Sequence, residues 1–432
     1  MCTAKFTPAT HARGLADWMQ LLGQLEQAIN EWRAVGAASP PGTRLRWLGA
    51  APETLSEAAW RRGLHGVGQS LRALLMALAQ VAETAHAVIP LYERGARLLS
   101  QLASFAQPVP DDAVRWLEVQ RQHLRLMESP LSIARLMREH MGQAQEEEAL
   151  PDPQKAWIFT SATLGDDEDL RWFTETCGLR NAQVLRVESP FDYQHQAVLY
   201  VPEDFPEPAQ QAAHSAAVAQ LAGDGAQALG GRTLVLTTTL KALDAIGAQL
   251  QQRFGMFEPI DVLVQGQGPK HALMERFRAG VVNGRGCVLV ASSTFWEGVD
   301  IPGDALQLVV IDKLPFPPPD DPLVEARSRQ LEVVGRSPFG DYMLPEAAMA
   351  LKQGAGRLIR RETDRGILVV ADTRLRTKGY GKRLVQALPP MRRIGTVAAW
   401  QAALQALATG EAVANPACGD ADERGAASQD GA

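Results

Sequence analysis

The chain is 432 residues long, room for two or three domains, and its 46% apolar content allows a sizeable core. No run approaches the roughly 18 consecutive apolar residues of a membrane span. The opening "MCTAKFTPATHARGL" lacks the apolar centre of a signal peptide, so a cytoplasmic address is the expectation.

Net charge is −6, of which the tail from Glu411 onward carries −4, leaving −2 for the rest. A near-neutral body can hold a basic groove, so charge decides nothing about nucleic acid. Cys2, Cys177, Cys287 and Cys418 lie far apart and form no C-x-x-C pair. That spacing argues for reduced thiols over a zinc or iron–sulfur site.

Residues 1–150 read as helical. Leu15, Trp18, Leu22, Leu25, Ile29 and Trp32 recur every three or four residues, as one face of an amphipathic helix does. "QSLRALLMALAQVAE", "YERGARLLSQLASF" and "AVRWLEVQRQHLRLM" read as further helices, separated by "GAASPPGT" and "QPVPDD". Trp18 and Trp116 fall on these stripes and are expected in the core.

Near residue 155 the pattern changes. "AWIFTS", "RTLVLTT", "IDVLVQG", "CVLVAS", "LQLVVID" and "RGILVVAD" are short apolar, β-branched runs, the mark of strands buried on both faces. "LKALDAIGAQLQQRF" and "HALMERFRAG" read as helices between them. The alternation predicts an α/β domain with a parallel sheet covered by helices. From about residue 410 the chain is rich in Ala, Gly and Asp and is expected to be disordered.

Ligands of parallel α/β sheets sit beyond the carboxyl ends of the strands, and four polar stretches follow strand candidates. Ser161-Ala162-Thr163 either caps the next element or contacts a neighbouring loop. Thr237-Thr238-Thr239 precedes a helix and suits either a phosphate or plain N-capping. "WEGVDIPG" places Glu297, Gly298, Asp300 and Gly303 in a tight loop. "LKQGAGRLIRR" (351–361) places Gln353, Arg357 and Arg360 at i, i+4 and i+7, within about a 60° arc if the stretch is helical. Gly354 and Gly356 would each cost such a helix about 1 kcal/mol against Ala. That makes sense if a ligand or another backbone comes close; the alternative is a solvated basic face.

Together these stretches resemble ordered motifs of superfamily 2 helicases. "FTSATL" resembles motif III, "LVLTTTLKAL" motif IV, and "VLVASSTFWEGVDIPGDALQLVVIDKLPF" motif V with its following strand. "QGAGRLIR" has the form Q-x-x-G-R-x-x-R of motif VI. The run from Phe295 to Phe316 is similar to that of the DinG/YoaA-type branch of XPD-like DNA helicases, and the likeness extends from about residue 112 to 395.

The resemblance implies a second RecA-like domain preceded by an all-helical, arch-like region. It implies a 5′-to-3′ ATP-dependent DNA helicase of repair or replication, using ATP and Mg²⁺, single-stranded DNA and possible repair or replication partners in the cytoplasm (nucleoid), with no membrane. It implies Arg360 as the finger on the γ-phosphate, with Arg357 and Gln353 beside it. Gly356, Glu297, Gly298 and Asp300 would serve ATP, and Ser161, Ala162 and Thr163 would couple hydrolysis to movement. Thr237, Thr238, Thr239, Gln265 and Thr294 would meet DNA phosphates.

The chain departs from the family where ATP is held. It contains no G-x-x-x-x-G-K-[ST] and no D-E-x-H box, and "YGKRLV" at residue 380 lacks the upstream glycine. The family's iron–sulfur cysteines have no counterpart, so no cluster is expected. The expectation is a C-terminal portion: a partial arch over 1–111, the closing segment of a first RecA-like domain over 112–180, a second RecA-like domain over 181–395, and a short helix and tail over 396–432. Alone it should not hydrolyse ATP, and "AWIFTSATL" should expose Trp157, Ile158 and Phe159 for want of its sheet. The alternatives are a non-catalytic RecA-like module that binds nucleic acid or a partner, and an RNA helicase sharing the motifs.

Overall fold

The computed structural model describes residues 16–82, 86–141, 156–161, 163–165, 167–179, 181–255, 258–292 and 305–410. The chain divides into two compact units. One comprises Met1–Gln154, Thr176–Gly178 and Pro318–Pro338; the other comprises Lys155–Glu175, Leu179–Pro317 and Phe339–Ala432.

The first unit has three long helices, Trp18–Gly36, Glu57–Ala82 and Ile89–Phe105. The middle helix buries Trp60, Leu64, Val67, Leu71, Leu75, Leu78 and Val81, spaced three or four apart along one face. The unit is not helical throughout. "AVRWLEVQRQHLRLM" forms an antiparallel hairpin, and with β1 (Arg44–Trp47) its strands β2 (Ala113–Val119) and β3 (Leu124–Pro130) make a three-stranded sheet in that order.

The reason is local. In β2 the residues Val114, Leu117 and Val119 are buried, and Trp47, Trp60 and Leu117 share one cluster. Arg115, 2% exposed, donates to Glu128 across the hairpin at 2.5 Å and to the carbonyls of Gln107 and Ser104 at 2.7 and 3.0 Å. A helix over the same residues could not make the cross-strand pair. The helix Pro322–Val333 belongs to this unit and is tied to β1 by the Arg44–Asp321 and Arg46–Glu325 ion pairs.

The second unit is built on a seven-stranded sheet. Its strands are β4 (Ala197–Tyr200), β5 (Thr233–Thr237), β6 (Ile260–Val264), β7 (Gly286–Ser292), β8 (Leu308–Ile311), β9 (Gly366–Val370) and β10 (Arg392–Ile394). The order is β10-β4-β9-β8-β5-β7-β6, and every pairing is parallel.

Successive residues of a strand enter opposite cores. Leu234, Leu236, Leu289, Val309, Ile311, Leu368 and Val370 join one cluster; Val235, Val288, Val290, Leu308, Val310, Ile367 and Val369 join the other. This double burial is why the strands are continuous apolar runs. At about 1.5–3 kcal/mol per buried aliphatic side chain, the sheet is the main stabilising feature of the unit.

The segment 156–161 forms no strand, although its composition predicts one. Trp157 is 42% and Ile158 84% exposed, as expected for a strand without its sheet. Phe159 differs: it is half-buried, with its ring 5.4 Å from that of Phe173. Residues 182–188 likewise form no strand, and Leu185 and Val187 are exposed.

Candidate functional site

The carboxyl ends of β5, β8 and β9 bring together the polar residues of the second unit. Thr237 is fully buried, its hydroxyl 3.4 Å from the carbonyl of Ala291, so it faces the sheet. Thr239 is the N-cap of the helix Leu240–Arg253 and accepts the amide of Ala242 at 3.3 Å, the plain capping role. Thr238 donates its amide to Asp312 at 3.0 Å. Gln265, just past β6, accepts from the amide and hydroxyl of Ser292 at 2.7 and 2.9 Å.

Two carboxylates that the sequence reading passed over organise this edge. Asp312 ends β8 and is 1% exposed; burial pushes its carboxyl up to about 7 despite Lys313 and the amides of Lys313 and Thr238. Asp372, just beyond β9, is also fully buried. Burial raises it too, but the Arg374 guanidinium and the amide of Leu314 outweigh burial and hold it below the ordinary carboxylate range. Both lie one or two residues past adjacent parallel strands, a position from which sequence could have flagged them.

The arginine stretch is not one helix. The helix Leu344–Ala355 carries Gln353 in its last turn, and Gly356 is its C-cap. Arg357 and Arg360 lie in the turn beyond, so the i, i+4, i+7 face does not exist. Leu358 and Ile359 are 1% and 2% exposed, while Arg357 and Arg360 on either side are half-buried and Arg361 is exposed. The two aliphatic side chains anchor the turn in the core, and the flanking guanidinium groups are themselves partly buried, each with its Nε out of reach of solvent.

A carboxylate fixes the backbone beyond the helix. Asp364, 8% exposed, accepts the backbone amides of Arg360 and Arg361, each at 2.9 Å. Buried Gln196, just before β4, donates its amide nitrogen to the carbonyls of Arg361, Glu362 and Asp364 at 2.9, 2.9 and 3.1 Å. Gly356 has φ −65°, open to any residue, and a Cβ there would meet the Lys352 carbonyl at 3.3 Å. Its backbone conformation does not demand glycine.

Lys352, half-buried beside this turn, is held below the ordinary lysine range by burial and by the charge of Arg186. Gln353, Arg357 and Arg360 are neighbours of Lys352 along the same short stretch. Donors of this kind suit phosphate oxygens. Among the described residues no group of three or more His, Cys, Asp or Glu is placed to hold a metal ion.

Ser161 and Thr163 form a local turn, the Thr163 amide donating to the Ser161 hydroxyl at 3.1 Å. Ala162, Thr294, Glu297, Gly298 and Asp300 lie outside the described residues.

Residues 224–391 match the helicase C-terminal domain family. Over that domain the chain is similar to the DinG/YoaA-type helicases. It is 40% identical over 283 residues to the ATP-dependent DNA helicase YoaA of Escherichia coli, covering 66% of this chain and 42% of that protein. It is 34% identical over 322 residues to the ATP-dependent helicase DinG of Mycobacterium tuberculosis, covering 73% of this chain and 46% of the relative. The chain therefore spans less than half the length of either relative. A solved XPD helicase superposes with a TM-score of 0.52 at 15% identity, over 89% of this chain and 63% of that one. This likeness speaks for the fold alone. The helicase C-terminal domain holds every strand of the parallel sheet except β4 and β10. No helix among the described residues is long and apolar enough to cross a membrane.

Proposed function

We propose that this chain supplies the second RecA-like domain, residues 181–395, and part of the arch of a 5′-to-3′ ATP-dependent DNA helicase acting in repair or replication. The observation that carries the reading is the turn Gly356–Asp364. Its arginines are aimed by buried Leu358 and Ile359, and its backbone is fixed by Asp364 and Gln196.

Such a turn suits phosphoryl transfer, in which catalysis is mostly positioning and charge stabilisation. Arg360 meets the γ-phosphate oxygens in this reading, with Arg357 and Gln353 beside it. Gly356, Glu297, Gly298 and Asp300 line the nucleotide side, and Ser161, Ala162 and Thr163 couple it to movement. Thr237, Thr238, Thr239, Gln265 and Thr294 face single-stranded DNA in this reading, although the Thr237 hydroxyl is buried and that of Thr238 lies 3.4 Å from the Asp312 carboxylate. ATP and its Mg²⁺ are held in the main by a first RecA-like domain bearing the phosphate loop and acidic box that this sequence lacks. Exposed Trp157, Ile158, Leu185 and Val187 support a need for such a domain to cover them. The complete helicase works in the cytoplasm, at the nucleoid.

The test uses the purified chain. It is expected to bind a labelled single-stranded oligonucleotide with affinity that falls steeply with salt, and to turn over no ATP with or without DNA. Failure to bind the strand at low salt would remove the DNA reading. DNA-stimulated ATP turnover would remove the claim that the chain needs a second half.

A further inference from the structure

Three aromatic rings meet beyond the carboxyl ends of β8 and β9. The centroids of Phe316 and Phe339 are 5.5 Å apart, those of Phe316 and Tyr380 5.6 Å, and those of Phe339 and Tyr380 5.2 Å. Phe316 follows β8, and Tyr380 follows β9 between the short helices Arg374–Thr377 and Gly381–Ala387. Phe339 opens the π-helical turn Phe339–Met343, a geometry often found at functional sites.

The cluster is built, not loose. Phe316 and Tyr380 are half-buried against the core. Arg383 ties the turn carrying Phe339 to the helix after Tyr380 by donating to the carbonyl of Gly340 at 3.0 Å. Phe339 itself is 40% exposed. A ring that only filled the core would be covered; this one rests on two others and meets solvent.

The segment carrying Tyr380 is basic, while the turn carrying Phe339 contributes one exposed carboxylate, Asp341. Between Asp372 and Glu411 the sequence has no Asp or Glu, but it has Arg374, Arg376, Lys378, Lys382, Arg383, Arg392 and Arg393. Arg374 is committed to Asp372 and Arg376 to Glu203. Lys378 and Lys382, flanking Tyr380, are exposed.

We propose that Phe339 and Tyr380, backed by Phe316, form a stacking platform for the bases of single-stranded nucleic acid, with Lys378 and Lys382 contacting its phosphates. Aromatic faces beside a basic track are how proteins hold single strands without reading sequence. The proposal rests on the nucleic-acid reading above and adds a base-binding site to the phosphate contacts assigned there.

The experiment is fluorescence anisotropy of the full chain with labelled oligo-dT and with an abasic strand of the same length. The wild type is expected to bind oligo-dT roughly tenfold more tightly than the abasic strand, the worth of about one stacked base. Phe339→Leu keeps the apolar bulk and should abolish that preference without changing the melting temperature, and Phe339→Trp should keep it. Lys378→Ala with Lys382→Ala should weaken both strands alike and lower the salt slope by about 1.4, the worth of two single-strand phosphates. A preference that survives in Phe339→Leu overturns the platform. Equal binding of both strands by the wild type overturns the platform alone. Binding of neither strand overturns the nucleic-acid reading, and the platform with it.

Discussion

The carboxylate of Asp364 accepts the backbone amide of Arg360 at 2.9 Å. That bond, with its twin to Arg361, fixes the backbone from which the Arg360 and Arg361 side chains leave. Hydrogen bonds to a charged group contribute about 1.5–3 kcal/mol each. Asp364→Ala should therefore lower unfolding free energy by roughly 3–6 kcal/mol in urea titration and speed amide exchange across residues 357–365. Asp364→Asn keeps one acceptor oxygen and should lose less.

Gln196 holds the other side of the same turn as a donor. Gln196→Glu replaces the donating amide with a group that donates only when protonated. Its folded pKa should be raised, so stability should be highest below the ordinary glutamate value and fall as pH rises through the folded one. Gln196→Ala should be destabilised evenly across that range. Melting curves from acid to mildly alkaline pH separate the two; parallel curves for both variants would contradict the role given to the amide.

Asp312 carries a pH signature of its own. Its carboxyl is raised to about 7, above its unfolded value, so the folded chain holds the extra proton between roughly pH 4 and 7. Its contribution to stability is full below that window and is lost as pH rises across it. Asp312→Asn should remove this slope and leave the variant on the order of 4 kcal/mol more stable relative to wild type at pH 8 than at pH 4. Denaturant titrations at the two pH values check it.

In the first unit, Arg115 bonds Glu128 and two carbonyls while 2% exposed. Arg115→Ala leaves those carbonyls unmet and should cost about 3 kcal/mol, seen as a lower denaturation midpoint.

Five parallel strands were legible in the sequence as short β-branched apolar runs, four of them buried on both faces and the edge strand β6 carrying Asp261. β10 is Arg-Arg-Ile and shows no apolar run; β4 is as short as β8 and as apolar and buried, so its signal was present and passed over. The hairpin 113–130 reads as a helix because its apolar residues also fall three and four apart; only the pairing of Arg115 with Glu128 settles it. The arginine turn misled for a related reason. Leu351, Ala355, Leu358 and Ile359 fit a helical stripe, but the signal against one was Asp364, four residues past Arg360. A side chain that captures backbone amides competes with a helix, and nothing in the apolar pattern registers it. The motif residues were legible in type and order, whereas Asp312 and Gln196 bond Thr238 and Arg361 from 74 and 165 positions away.

The central claim is that the Arg357–Arg360 turn completes an ATP site whose other half comes from another domain. The direct measurement is DNA-stimulated ATP turnover by a chimera in which this chain replaces the matching portion of the Escherichia coli YoaA relative, with and without Arg360→Ala. The account predicts turnover by the chimera and a loss of about 10³-fold or more on Arg360→Ala, as for other arginine fingers. Turnover unchanged by Arg360→Ala would contradict it.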